Sequence, residues 1–285
     1  MIPYRGSKKA IANELIKHIP PADHFYDLFG GGGAITCAVS KIMKVNDMFH
    51  GTKWKHLHYN EINTGVYLLF REVLEEKFDF EKAKETWISR EEFFRVKDEP
   101  TAWGAYVRFC WSFGNDGDTY CYGKNIELAK ELIFCLLHVE NPYLPHTTIK
   151  ERRLVLAQAI RQLTKKELYL QSLERLERLQ SLQSLQITNL DYRDVPIQPL
   201  SVVYCDIPYE GESAVKDVYK NDFNRAAFLD WAATREFPVY VSEYEITDIR
   251  FSLIWEKEII IKMSKKNSKG IYRRERLYWN KKEIR

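Results

Sequence analysis

Two kinds of apolar run alternate along the chain. Short blocks of β-branched and aromatic residues bounded by glycine, proline or acids predict strands at Phe25–Phe29, Leu57–Asn63, Gln186–Tyr192, Val202–Tyr204 and Pro238–Glu243. Stretches with apolar residues three or four apart predict helices at about Lys9–His18, Ala34 to about Lys44, Val66–Glu75, Glu81–Trp87, Arg90–Lys97 and Arg225–Thr234. Glu127–Val139 reads as a buried helix, and Trp255–Met263 with Arg276–Trp279 as a hairpin. Residues 103–113 are rich in aromatics and lead into a glycine and polar loop at 114–124, the kind of loop that is functional or mobile. From Leu170 to Leu185 leucine recurs at every third position. That period drifts around an α-helix and is not a heptad. It predicts one helix, or a helix followed by a leucine-lined turn, with a packing role.

Strands therefore fall at the two ends of the sequence and charged helices in the middle. A length of 285 residues suits one large domain, or one domain carrying a smaller insert. With 43 basic and 40 acidic residues the net charge is only +3, so any surface for a polyanion must come from local clustering. The richest cluster is Lys262, Lys265, Lys266, Lys269, Arg273 and Arg274, in the expected hairpin loop. Such a run is usually a solvated face, and it also suits phosphate contact. Five cysteines without a Cys-x-x-Cys pair point to reduced thiols in a cytoplasmic protein without a zinc site. No apolar run approaches the roughly 18–20 residues of a membrane span. The first residues lack the apolar core of a secretory leader, so none is expected.

The candidate chemistry lies at the ends of the expected strands. Val202–Tyr204 runs into Cys205-Asp206-Ile207-Pro208-Tyr209. Pro208 stiffens this turn and holds Ile207 extended, which can aim the Ile207 carbonyl outward. Asp206 and that carbonyl are then neighbouring acceptors, and Tyr209 supplies a flat face beside them. Such a tool suits a planar ring bearing an amino group; the plain alternative is a strand-end cap. Phe25–Phe29, Gly30–Gly33 and Ala34 onward form a strand, glycine turn and helix, the nucleotide-binding βα unit. It lacks the Gly-Lys-Ser/Thr of a phosphate loop. Glu61, at the end of the second strand, stands where a ribose diol is gripped, although Glu61 or Asn63 also suits a helix cap. Lys8, just after Tyr4, Arg5 and Gly6, suits an anion or a carboxylate ligand.

Taken in order, Tyr-Arg-Gly-Ser-Lys at 4–8, Phe-x-Gly-x-Gly at 29–33, Glu-Ile-Asn at 61–63, Asp-Tyr at 191–192 and Asp-Ile-Pro-Tyr at 206–209 resemble the Dam-type DNA adenine methyltransferases. The resemblance implies an α/β fold: a Rossmann-like mixed-sheet domain from residues 1–65 and 186–285, with a mainly helical target-recognition insert at 66–185. It implies S-adenosylmethionine as cofactor, double-stranded DNA as partner, no metal, and room for a cognate restriction endonuclease. Tyr4, Lys8, Asp27, Phe29, Gly31 and Gly33 would hold the cofactor, Glu61 its ribose with Asn63 beside it, and Asp191 and Tyr192 would lie near its adenine. Asp206, Ile207, Pro208 and Tyr209 would be catalytic, with Asp206 also among the cofactor contacts. Ile207 stands where the family has proline. Arg5, Asn115, Asp116, Lys124, Lys265, Lys266, Lys269, Arg273 and Arg274 are the candidate DNA contacts. An NAD oxidoreductase would explain the glycine turn and Glu61 but leaves 206–209 without a role. Methylation of a cytosine amino group, or of RNA, would use the same turn.

Overall fold

The computed structural model describes residues 1–3, 7–47, 53–138, 168–182, 185–209, 223–261 and 271–285. Contacts divide it into two compact units, Gly6–Tyr67 with Ser181–Arg285 and Met1–Arg5 with Leu68–Gln180.

The first unit is built on a seven-stranded sheet in the order β3-β2-β1-β4-β5-β7-β6. Its strands are β1 Ala22–Asp27, β2 Trp54–Asn60, β3 Leu185–Thr188, β4 Ser201–Asp206, β5 Val239–Glu243, β6 Ser252–Ile261 and β7 Ile271–Trp279. Neighbours among β1 to β5 run parallel, whereas β7 is antiparallel to both β5 and β6. The central strands are apolar because both faces are covered. Phe25, Leu57, Val202, Tyr204 and Tyr240 pack with Ile35, Ala38 and Val39 of α2 (Ala34–Asp47) and with Ile11, Leu15 and Ile16. Val203, Cys205 and Val241 pack with Phe228, Leu229 and Ala232 of the Arg225–Thr234 helix (α9, below).

The N-terminal helix expected over Lys9–His18 is three short turns: a 3-10 turn at Lys8–Ala10, α1 at Ala12–Leu15, and another 3-10 turn at Ile16–His18. Ile11, at φ −121°, breaks the run, and both Lys8 and the apolar Ile11, Leu15 and Ile16 end up buried. β1 and β2 begin and end earlier than their patterns suggest, since Trp54 is core while Leu28 and Phe29 already belong to the turn. Arg273 and Arg274 are strand residues of β7, opposite Ile259 and Glu258, and not loop residues. Glu258 and Arg274 are exposed, and such charged residues read as a solvated loop in sequence. Lys262, Lys265, Lys266 and Lys269 lie outside the described residues.

The second unit is helical, with most of α3 (Thr64–Leu74), then α4 Phe80–Glu85, α5 Arg90–Val96, α6 Ala102–Cys110, α7 Lys124–His138 and α8 Leu168–Glu177. Helix α9 Arg225–Thr234 returns to the sheet unit. Ser89 and Thr101 cap α5 and α6 by accepting from Glu92 and Gly104 N–H groups. Trp87, Tyr106, Trp111, Tyr120 and Tyr122 supply an aromatic core, with the Trp111 indole donating to the Tyr106 hydroxyl at 2.9 Å. Helix α7 is amphipathic and not buried throughout: Ala129, Lys130 and Phe134 are buried, while Leu128 is exposed. The leucine run resolves into α8 plus a 3-10 turn at Arg178–Ser181, and Leu173, Leu176 and Leu179 are all buried. A 3-10 turn has three residues per turn, so it keeps Leu179 on the face where an α-helix would drift. Leu185 already belongs to β3.

Candidate active site

Asp27, Asn60 followed by Glu61, Asp206 and Glu243 occur at the carboxyl ends of β1, β2, β4 and β5. The strand order reverses between β1 and β4, and an open parallel sheet forms its binding crevice at such a point. All the groups that follow, up to the helical loop, belong to the sheet unit.

The glycine turn is closed behind and open in front. A Cβ on Gly30 would lie 2.1 Å from Cε2 of Tyr59, a fully buried ring with no room to move. A Cβ on Gly31 would meet nothing within 4 Å. Gly31 and Gly33 take φ of 46° and 73°, a region that glycine enters without steric cost. The Tyr59 hydroxyl donates to the Gly31 carbonyl at 2.7 Å. Glu61, 1% exposed, accepts from the Gly31 N–H and the Asn63 N–H, each at 2.8 Å. Asn63 in turn accepts from the Val66 N–H at 3.1 Å and so caps α3. Asp27 is buried and accepts from the Thr36 N–H at 3.2 Å and its hydroxyl at 2.6 Å, tying the end of β1 to the start of α2. Phe29 and Tyr192 meet at 5.5 Å between ring centres, inside a cluster with Phe223 and Phe228. Asp191 accepts three hydrogen bonds from Arg193, whose guanidinium holds that carboxyl below its ordinary range.

Burial pushes both inner acids up to about 7, Asp27 from an ordinary 3.8 and Glu61 from 4.5, against the pull of their hydrogen bonds. The folded protein therefore binds protons that the unfolded chain has released between each ordinary value and about 7. Stability from these groups is fully present below the ordinary value and is lost as pH rises through about 7. In the ligand-free protein the melting temperature should rise from pH 8 to pH 6, and Glu61→Gln should flatten that slope. An unchanged slope would mean that Glu61 stays ionised when folded.

The turn after β4 carries the densest charge. The Lys8 ammonium is buried, 3.0 Å from Asp206 Oδ1 and 3.4 Å from Glu275 Oε2. It lies 4.3 Å from the centre of the Tyr209 ring. The Tyr209 hydroxyl donates to Glu275 Oε2 at 2.8 Å, and its ring meets Tyr244 edge-on at 4.3 Å. Asp206 keeps 23% of its side-chain exposure. Burial raises its pKa, Lys8 lowers it and Glu275 raises it again, with a net upward shift. Burial pulls the Lys8 ammonium down, but Asp206 and Glu275 more than restore it, so it is held above its ordinary value. Ile207 is 2% exposed, its side chain in the core under α9. Lys8, expected from sequence beside the cofactor, thus meets the expected catalytic residues.

In the helical unit, Asn115 donates from its amide to the Phe109 carbonyl at 2.6 Å, and Asp116 accepts from the Asp118 and Thr119 N–H groups at 2.9 Å. Both side chains shape their own loop, and Lys124 is exposed at the start of α7. Tyr4 and Arg5 lie outside the described residues. Sequence reasoning missed Thr36, Tyr59, Glu275 and Asn60. The Asn60 amide donates to the Leu28 and Leu190 carbonyls and accepts from the Leu190 N–H, tying three strand ends together. Only its position beside Glu61 could have flagged it. Among the described residues no group of three or more His, Cys, Asp or Glu is placed to hold a metal, and no helix is long and apolar enough to cross a membrane.

A sheet in which β7 enters antiparallel between β5 and β6, at the end of five parallel strands, defines the class of α/β Rossmann-like methyltransferases. Residues 4–236 match the family model of the D12 class N6 adenine-specific DNA methyltransferases, and the chain belongs to that family. Its activity is therefore N6 methylation of adenine in DNA, and the family implies S-adenosylmethionine as methyl donor. Comparison with curated proteins gives no match.

Proposed function

We propose that the protein binds S-adenosylmethionine in the crevice at the ends of β1, β2 and β4, and methylates an adenine flipped out of a specific site in duplex DNA. The observation that carries this reading is the pairing of the glycine turn, closed by Tyr59 and open at Gly31, with the Asp206–Tyr209 turn at the end of the neighbouring strand. Glu61 supports a ribose contact: it is a buried carboxylate already aligned by two N–H groups. Gly31 and Gly33, with Asp27 bracing the turn, suit the methionine end, together with Tyr4. Phe29, Tyr192 and Asp191 suit the adenine end. When bound, S-adenosylmethionine supplies an electrophilic sulfonium methyl.

The chain's own groups do the rest. Asp206 and the Ile207 carbonyl accept the two hydrogens of the target amine, which draws the nitrogen lone pair out of the ring. Pro208 fixes the direction of that carbonyl. The Tyr209 ring stacks on the flipped base, and the proton shed by the methylated nitrogen passes to Asp206. Residues 66–185 form the target-recognition region. In it Lys124 is a direct contact, and Asn115 and Asp116 act by shaping the loop they brace. Arg5, Lys265, Lys266, Lys269, Arg273 and Arg274 contact phosphates.

The test is transfer of a labelled methyl group to duplex DNA, followed by mapping of the modified bases. N6-methyladenine at one short recurring sequence, with binding that weakens steeply as salt rises, is the expected result. Where a cognate restriction endonuclease accompanies the protein, its cleavage site is that sequence. Labelled cytosine, or label on RNA alone, would overturn the reading.

A further inference from the structure

We propose that Glu275 is a positioning residue for methyl transfer: it anchors the Tyr209 hydroxyl and shares Lys8 with Asp206, holding the stacking ring and the acceptor in register. The inference rests on the catalytic reading of Asp206 and Tyr209 given above.

Glu275 comes from β7, flanked by Arg274 and Arg276, and its Cα is paired with that of Lys257. It is only 6% exposed. A second carboxylate beside Asp206 in a desolvated pocket is costly, because one ammonium must serve two anions. A glutamine would accept from Tyr209 at lower cost, so packing alone does not call for an acid. What the charge adds is a second anchor for Lys8. As the target amine engages Asp206, Lys8 keeps a partner at Glu275, and the Tyr209 ring stays pinned through its hydroxyl. The titratable groups that interact with Asp206 are Lys8, Asp27, Tyr204, Cys205, Tyr209, Tyr244 and Glu275 itself. Of these, Lys8 and Glu275 act on Asp206 in opposite directions.

Four variants test this: Glu275→Gln, Glu275→Ala, Tyr209→Phe, and Glu275→Ala combined with Tyr209→Phe. Steady-state methyl transfer is followed across pH, S-adenosylmethionine affinity by calorimetry, and the fold by melting. Glu275→Gln should move the acid limb of kcat to lower pH, because the like charge that raises Asp206 is gone. Glu275→Ala should lower kcat by roughly tenfold, about the worth of a charge-assisted hydrogen bond, with cofactor affinity unchanged. Adding Tyr209→Phe should cost little more, since both changes break one contact. An acid limb that stays in place in Glu275→Gln, or losses that multiply in the double variant, would overturn the proposal. Glu275→Gln keeps the shape of the side chain, so it still gives an answer should the alanine variant not fold. A wild-type protein that transfers no methyl group would sink the underlying reading instead. Methylation by wild type with an unmoved Glu275→Gln sinks this inference alone.

Discussion

Asp206→Ala is expected to leave a folded protein whose methyl transfer to DNA falls by a factor of about a hundred to a thousand. Asp206 closes β4, with Cα opposite Ser242 of β5, so its carboxylate stands on a rigid strand end. Without it one amine hydrogen has no acceptor, and the nitrogen lone pair stays in the ring. Stability should not fall in proportion. Asp206 keeps 23% of its side-chain exposure, and the ammonium it leaves behind still has Glu275 at 3.4 Å. Labelled methyl transfer and a melting curve on the same preparation give both numbers. A folded variant that methylates at near wild-type rate would remove Asp206 from the mechanism.

Lys8→Ala should have the next largest effect, and of a different kind. It leaves Asp206 and Glu275 facing each other without a cation, in a pocket where removing one partner of a buried pair costs about 3 kcal/mol or more. Turnover at neutral pH should drop by about a hundredfold. The acid limb of the pH–rate profile should move to higher pH, since Lys8 does most to lower the Asp206 pKa. That direction is opposite to the one expected for Glu275→Gln. If Lys8 instead serves the cofactor, the loss will appear as weaker S-adenosylmethionine binding, with the acid limb in place.

Lys8 also marks the border of what the sequence makes legible. The strands β1, β4 and β5 and helix α9 are visible because their residues repeat on a local period. The same holds for the glycine turn and Asp206–Tyr209, which are contiguous. The partners of Lys8 lie 198 and 267 residues further on, and no local pattern encodes such a meeting. Glu275 is hidden among arginines that look like a solvated face, and only the pairing of β7 with β5 and β6 buries it. Ile207 was legible only as a carbonyl. Its side chain is core, so Ile207 also anchors the turn from beneath. Asn63 shows the converse, a residue whose side chain the structure gives to the cap of α3.

The insertion of β7 between β5 and β6 matters as well to a chain that is still being made. A ribosome delivers β5 well before β7, and until then one flank of β5, with Val239 and Val241, has no hydrogen-bonding neighbour. An unpaired apolar strand is a template for the wrong partner. The nascent polypeptide thus carries that unpaired edge between synthesis of residue 243 and of residue 279. Over most of that interval the chain holds Lys8 and Asp206 without Glu275, so the three-residue charge cluster is completed only once β7 has been made.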